Sequence, residues 1–171
     1  MSNYDKIQQP VKGDFYKLQA GENRIRLVSE PESFGSHYVT AEKKSFICLG
    51  KSECNWCKVG DKPRARFYYW VIDRKDGVIK LAEFGWAVIG EVKALHDSAE
   101  YSFDDVPPYD LIITKLGTGM DTEYKVMASR TNVALTSEEA EKVKALKPLS
   151  ELVEAKKGVT LEVVDVSAIP F

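Results

Sequence analysis

Residues 37–70 read HYVTAEKKSFICLGKSECNWCKVGDKPRARFYYW, and this stretch decides the fold. It holds Cys48, Cys54 and Cys57, the three cysteines of the 171-residue chain, and His37, one of its two histidines. The order is His-x10-Cys-x5-Cys-x2-Cys. Two cysteines separated by two residues can bend onto one ion, and tetrahedral zinc takes four ligands. The spacing therefore predicts one structural Zn²⁺ on His37, Cys48, Cys54 and Cys57, with Cys54-Asn55-Trp56-Cys57 as a tight knuckle. Such a shell is closed and leaves no position for a substrate water. Three cysteines cannot all pair within one chain, which favours a metal over disulfides. The competing histidine, His96, falls on an expected helix far along the chain. The bland alternative is a set of buried free thiols with His37 on the surface.

The stretch runs directly into a long expected strand, Arg64 to Ile72. Alternation puts Ala65, Phe67, Tyr69 and Val71 on a core face and Arg64, Arg66, Tyr68 and Trp70 on the other. Exposed rings give a nucleobase a π-face worth roughly 1–3 kcal/mol per base, and arginine beside them takes phosphate. The alternative is that Tyr68 and Trp70 lie under another element. Net charge is −2, which argues against a generic nucleic-acid binder. Its distribution does not: residues 43–80 carry ten Lys/Arg and four Asp/Glu, the remainder fourteen and twenty-two. A local basic face on an acidic body can still steer a polyanion. A chance run of solvated lysines is the other reading.

Working outward, the chain is long enough for one domain with its own core. A hydrophobic fraction of 44% with 29% charged residues is that of a soluble globular protein. No apolar run is long enough for a bilayer, and the start MSNYDKIQQP lacks a signal-peptide core, so a cytoplasmic protein without a membrane partner is expected. Residues 1–14 read as a flexible arm, residues 15–135 as a core with a zinc subdomain at about 37–62, and residues 136–171 as C-terminal helices and tail. Arg24 to Val28 is an expected strand with Ile25 and Leu27 inward and Arg24 and Arg26 outward, facing phosphate or carboxylates. His37 to Thr40 and Ser45 to Ile47 are strand pieces leading to Cys48.

Asp76-Gly77 turns the long strand into a return strand, Val78 to Trp86. Val88, Val92 and Leu95 mark a helix over 87–96, and Tyr109 to Lys115 pairs with Glu123 to Ala128. That order predicts a mainly β, five-stranded OB-type barrel whose helix lies between the third and fourth strands. Thr136 and Glu139 form a capping box for a helix to about Leu146. A second short helix opens at Pro148, runs through about Ala155 and is stopped by Gly158, and Val159 to Val166 alternates like a strand. These acidic helices are expected to sit away from the basic face.

No phosphate-binding glycine loop, no Ser/His/Asp arrangement and no acid pair with metal spacing is present, so an enzyme is not expected. The expected nucleic-acid contacts are Arg24, Arg26, Tyr38, Trp56, Lys58, Lys62, Arg64, Arg66, Tyr68, Trp70, Lys80, Lys115 and Tyr124. An RNA-binding OB protein remains open, as does a zinc-stabilised adaptor using Tyr68, Trp70 and Trp56 as an apolar patch.

The His37/Cys48/Cys54/Cys57 set, the strand RARFYYWVIDRKDG, the return strand ending Phe84-Gly85-Trp86 and the following helix resemble the phage single-stranded DNA-binding proteins, in particular the zinc-containing helix-destabilising kind of the T-even phages. The resemblance spans roughly residues 15–130, with a shorter ligand spacing here. It implies an OB fold with a zinc subdomain, a cleft between them, and sequence-independent binding of single-stranded DNA in replication, recombination and repair. Residues 1–14 are not strongly basic and no long acidic run closes the sequence, so cooperative filament formation is not carried over. Ile169, Pro170 and Phe171 are similar to the tip by which bacterial single-strand binding proteins dock replication partners. An ordinary chain end is the alternative.

Overall fold

The computed structural model describes residues 15–163, with side chains through residue 157. The expected arm, the Ile169-Pro170-Phe171 tip and the last part of the expected terminal strand lie outside them. The strands are β1 (Gly21–Leu27), β2 (Glu32–Val39), β3 (Lys44–Ile47), β4 (Arg64–Asp73), β5 (Ile79–Gly85), β6 (Tyr109–Leu116) and β7 (Glu123–Asn132). The helices are α1 (Asn55–Lys58), α2 (Trp86–Asp97), α3 (Ser137–Lys144) and α4 (Leu149–Val163).

All seven strands join one antiparallel sheet in the order β3-β2-β4-β1-β6-β7, with β5 on the second edge of β4. β4 organises it because its ten residues are rich in β-branched and aromatic side chains, which suit a pleated, half-buried surface. One edge of β4 is shared by two strands. Ile25–Leu27 pairs with Asp73–Val71, and Glu32–Ser36 pairs with Tyr68–Arg64. The other edge carries β5 from Ile79 to Gly85. The turn between them needs Gly77, whose φ is +72°. No ladder joins β5 to β7 among the described residues, so the sheet is open where the element order predicted a closed barrel.

The main core lies between one sheet face and α2. Ile25, Leu27, Tyr69, Val71, Ala82, Phe84, Leu111 and Ile113 meet Val88, Ile89 and Val92 there. The inward sides expected for Ile25, Leu27, Tyr69 and Val71 are seen, as is the Thr136/Glu139 capping box.

The opposite face departs from expectation. Tyr68 and Trp70 do point there, but α4 covers them: Leu149 and Val153 are buried against Tyr68 and Ile47, with Phe34, Trp70, Leu81 and Leu152 around them. α4 also continues helical through Gly158 to Val163, so residues 159–163 are not strand. Leu149, Leu152 and Val153 fall one helical turn apart and supply an apolar stripe matching the aromatic face. α4 therefore sits on that side of β4 rather than away from it. Among the described residues, no helix is long and apolar enough to cross a membrane.

Candidate metal centre and its cationic surround

The hairpin β2–β3 and the one-turn helix α1 bring His37, Cys48, Cys54 and Cys57 together, as the spacing predicted. Their ligand atoms all lie within 4.8 Å of one another. Cys48 Sγ is 3.5 Å from Cys57 Sγ, and His37 Nε2 is 3.4 Å from Cys54 Sγ and 3.5 Å from Cys57 Sγ. A tetrahedron with Zn–S of about 2.3 Å and Zn–N of about 2.0–2.1 Å has S···S edges of roughly 3.8 Å and S···N edges of roughly 3.6 Å. The separations are close to those edges, and the three-sulfur, one-imidazole set suits a structural metal such as zinc.

Each ligand is held from behind. His37 is 1% exposed, and its Nδ1 lies 2.6 Å from Asp61 Oδ2. That carboxylate fixes the Nδ1–H tautomer and aims the Nε2 lone pair at the sulfurs. Burial alone would raise the Cys54 thiol, yet the main-chain N–H groups of Cys57, Leu49 and Trp56 and the Cys48 thiol bring it below its ordinary value. The Cys57 thiol is pushed up to about 12 by burial, by its hydrogen bond to Cys48 and by the charges of Cys54 and Cys48. Three sulfurs this close resist joint ionisation, which a dication would reverse. Val39, Phe46, Cys54 and Trp56 form a small core of their own, with Trp56 stacked 5.9 Å from Phe46.

The lobe meets the sheet at Gly35. A Cβ there would stand 3.0 Å from Pro63 Cβ and 3.1 Å from Cys48 Cβ. The Cys48 N–H donates to the Gly35 carbonyl at 2.7 Å.

The expected nucleic-acid contacts divide sharply. Lys58, Lys62 and Arg64 are exposed on or beside the lobe, as are Lys43, Lys44 and Lys51. None of these six has an ion-pair partner among the described residues. Tyr38 is 55% exposed on the β2 face that continues from Arg64. Arg66 is half-buried and donates to Glu83 at 3.2 Å. Lys115 and Tyr124 are cross-strand partners on β6 and β7, at the other end of the strand order from the lobe.

Of the other expected contacts, Tyr68, Trp56 and Arg26 are buried rather than exposed, and Trp70 and Lys80 are engaged within the fold. Tyr68 is 2% exposed beneath α4, where Lys156 Nζ lies 4.8 Å above its ring. Trp70 is half-buried, with its indole N–H donated to the Lys147 carbonyl at 2.9 Å. Trp56 is 7% exposed inside the lobe core, and its indole nitrogen is buried without a hydrogen-bond partner in the described structure. Arg26 is 5% exposed rather than outward, 3.6 Å from Asp110. Lys80 is tied to Asp73 at 2.9 Å and to Asp76 at 2.7 Å.

Arg24 and Arg74 share Asp110 with Arg26, at 3.0 Å and 3.1 Å. Arg74 also reaches Glu139 of α3 at 2.7 Å. Burial alone would raise the Asp110 carboxyl, but hydrogen bonds and charge from Arg24 and Arg74 hold it below the usual carboxylate range. Carboxylates thus won the arginines of β1.

Two residues escaped the sequence reading. Asp61 sits in the turn after the knuckle, and only the fold places it behind His37. Trp86 falls at the end of the expected return strand. It is the first residue of α2, outside the Val88–Val92–Leu95 stripe, and is 60% exposed. Comparison with protein-family models, characterised proteins and solved structures finds no match to this chain.

Proposed function

We propose that this chain is a non-catalytic protein that binds single-stranded DNA, built on an OB-type sheet with one structural zinc. His37, Cys48, Cys54 and Cys57 would hold the ion, which would supply a cross-link that fixes the knuckle. The sheet order β5-β4-β1-β6-β7 and the helix between β5 and β6 support the OB reading, with the β5–β7 side left open.

The observation that carries the function is the free charge at the lobe. Residues 37–64 hold six Lys/Arg against Glu42, Glu53 and Asp61. Zinc on three thiolates removes one unit and leaves the lobe cationic. Around Asp110 the arginines are consumed by carboxylates, so six idle cations gathered on one lobe beside an exposed Tyr38 point to a polyanion. Unpaired bases offer π-faces that duplex DNA hides.

The test is titration of the zinc-loaded protein with an oligothymidylate and with a duplex, read by tryptophan fluorescence and anisotropy. Single strands should bind more tightly. With about four phosphates neutralised, the log–log salt slope should be near −3, from roughly −0.7 per contact. Absence of binding to either form ends this reading, and tighter binding to a matched RNA makes RNA the ligand.

A further inference from the structure

We propose that the Trp86 indole is a stacking platform for an unpaired nucleobase and that the cleft beside it seats that base. This rests on the single-strand reading above and relocates its aromatic contact, because Tyr68 and Trp70 lie under α4.

Trp86 stands at the mouth of a cleft of about 340 Å³ whose walls include Phe67, Tyr69, Ile89, Phe103 and Pro107. Its ring centre is 6.4 Å from that of Phe67, with 42° between the planes. One flank of the indole rests on α2 at Gly90, where a Cβ would lie 3.3 Å from the ring. With 60% of the residue still open to solvent, ring surface is left for a ligand. A solitary exposed tryptophan needs no explanation, but one bordering an aromatic-walled cleft does.

Charge sets how a strand would lie. Arg66 Nη1 occupies the space beside Gly85, 2.6 Å from where a Cβ would be and next to Trp86 in the chain, while its Nε donates to Glu83 at 3.2 Å. Arg64, two residues back along β4, is exposed and has no ion-pair partner among the described residues. Glu30, Asp104 and Asp105 line the cleft, as do Lys93 and His96, whose side chains are tied to Asp97. Those carboxylates repel phosphate, so the base enters the cleft while the backbone stays on the arginine side. The ligand is a nucleotide unit of a single strand, held by its ring and not by a phosphate pocket.

The test uses the full zinc-loaded chain, an oligothymidylate, and the variants Trp86→Ala and Trp86→Phe. Loss of one stacked base should weaken binding about ten-fold or more in Trp86→Ala. Trp86→Phe should keep affinity within roughly three-fold yet lose most of the fluorescence quenching, since a phenyl ring still stacks. Circular dichroism and melting of both variants should match the wild type because Trp86 is exposed. If Trp86→Ala binds like the wild type, or if Trp86→Phe retains the full quench, the platform is overturned and the single-strand reading stands. If the wild type itself does not bind, both fall.

Discussion

Asp110 and the Cys/His lobe each gather a group of cations, and the two groups are spent in opposite ways. Around Asp110, Arg24, Arg26 and Arg74 converge on one carboxylate, with Glu139 taking the remaining reach of Arg74. On the lobe, Lys43, Lys44, Lys51, Lys58, Lys62 and Arg64 stand in solvent without a carboxylate partner among the described residues. The first group fastens β1, the β4–β5 turn, β6 and α3 to one another. The second fastens nothing, so its charge is available to a ligand. A cation's meaning comes from what the fold brings to it, and surface charges without partners contribute little to stability.

The largest expected effect comes from dismantling the lobe. Chelation of the zinc-loaded protein, or Cys54→Ser, should remove about 10–16 kcal/mol of coupled binding and folding free energy from this region. Trp56 would then be wetted and its emission should shift to the red. Amide exchange around Ile25 and Leu111 should stay slow. An unchanged spectrum after complete zinc removal would mean that the lobe stands without metal, and the contrast with the Asp110 cluster would rest on charge alone.

Asp110→Asn comes next. It takes from the buried Arg26 its one ion-pair partner among the described residues and leaves only the charge of Glu139 nearby, which should destabilise the protein by about 3–5 kcal/mol in a denaturant melt. Strand affinity should hardly move. The carboxyl is held below its ordinary value of about 3.9, so its stabilisation is complete above that pH and is lost as the pH falls through the lowered native value. The wild type should therefore weaken in acid over that window, and Asp110→Asn should show a flatter acid limb. A denaturation midpoint equal to wild type would show that the cluster is ornamental.

Lys62→Ala combined with Arg64→Ala should show the smallest change in stability, within about 0.5 kcal/mol. Affinity for an oligothymidylate should fall, and the salt slope should become shallower by roughly 1.4. An unchanged slope would make the lobe cations as idle in function as they are in the fold.

The ligand set was legible because every cysteine falls in one short segment, and metal spacing is a local property of the chain. The β4 core face was legible for the same reason: alternation is written residue by residue. What covers the other face was not. Tyr68 and Trp70 meet Leu149 and Val153 across some eighty positions, and no local pattern announces a pairing at that distance. Alternation told which side of β1 Arg26 occupies but not that Asp110 would wait there. Trp86 was misread because β5 passes into α2 at Gly85 without a capping side chain, so the boundary left no mark.

Gly35 has a mechanical consequence. Pro63 and Cys48 fill the space that a side chain at position 35 would need, so the seam between lobe and sheet is close-packed there. On the proposed single-strand reading, a lobe seated this way would meet the strand as a surface already arranged. The entropy lost on association would then fall mainly on the nucleic acid.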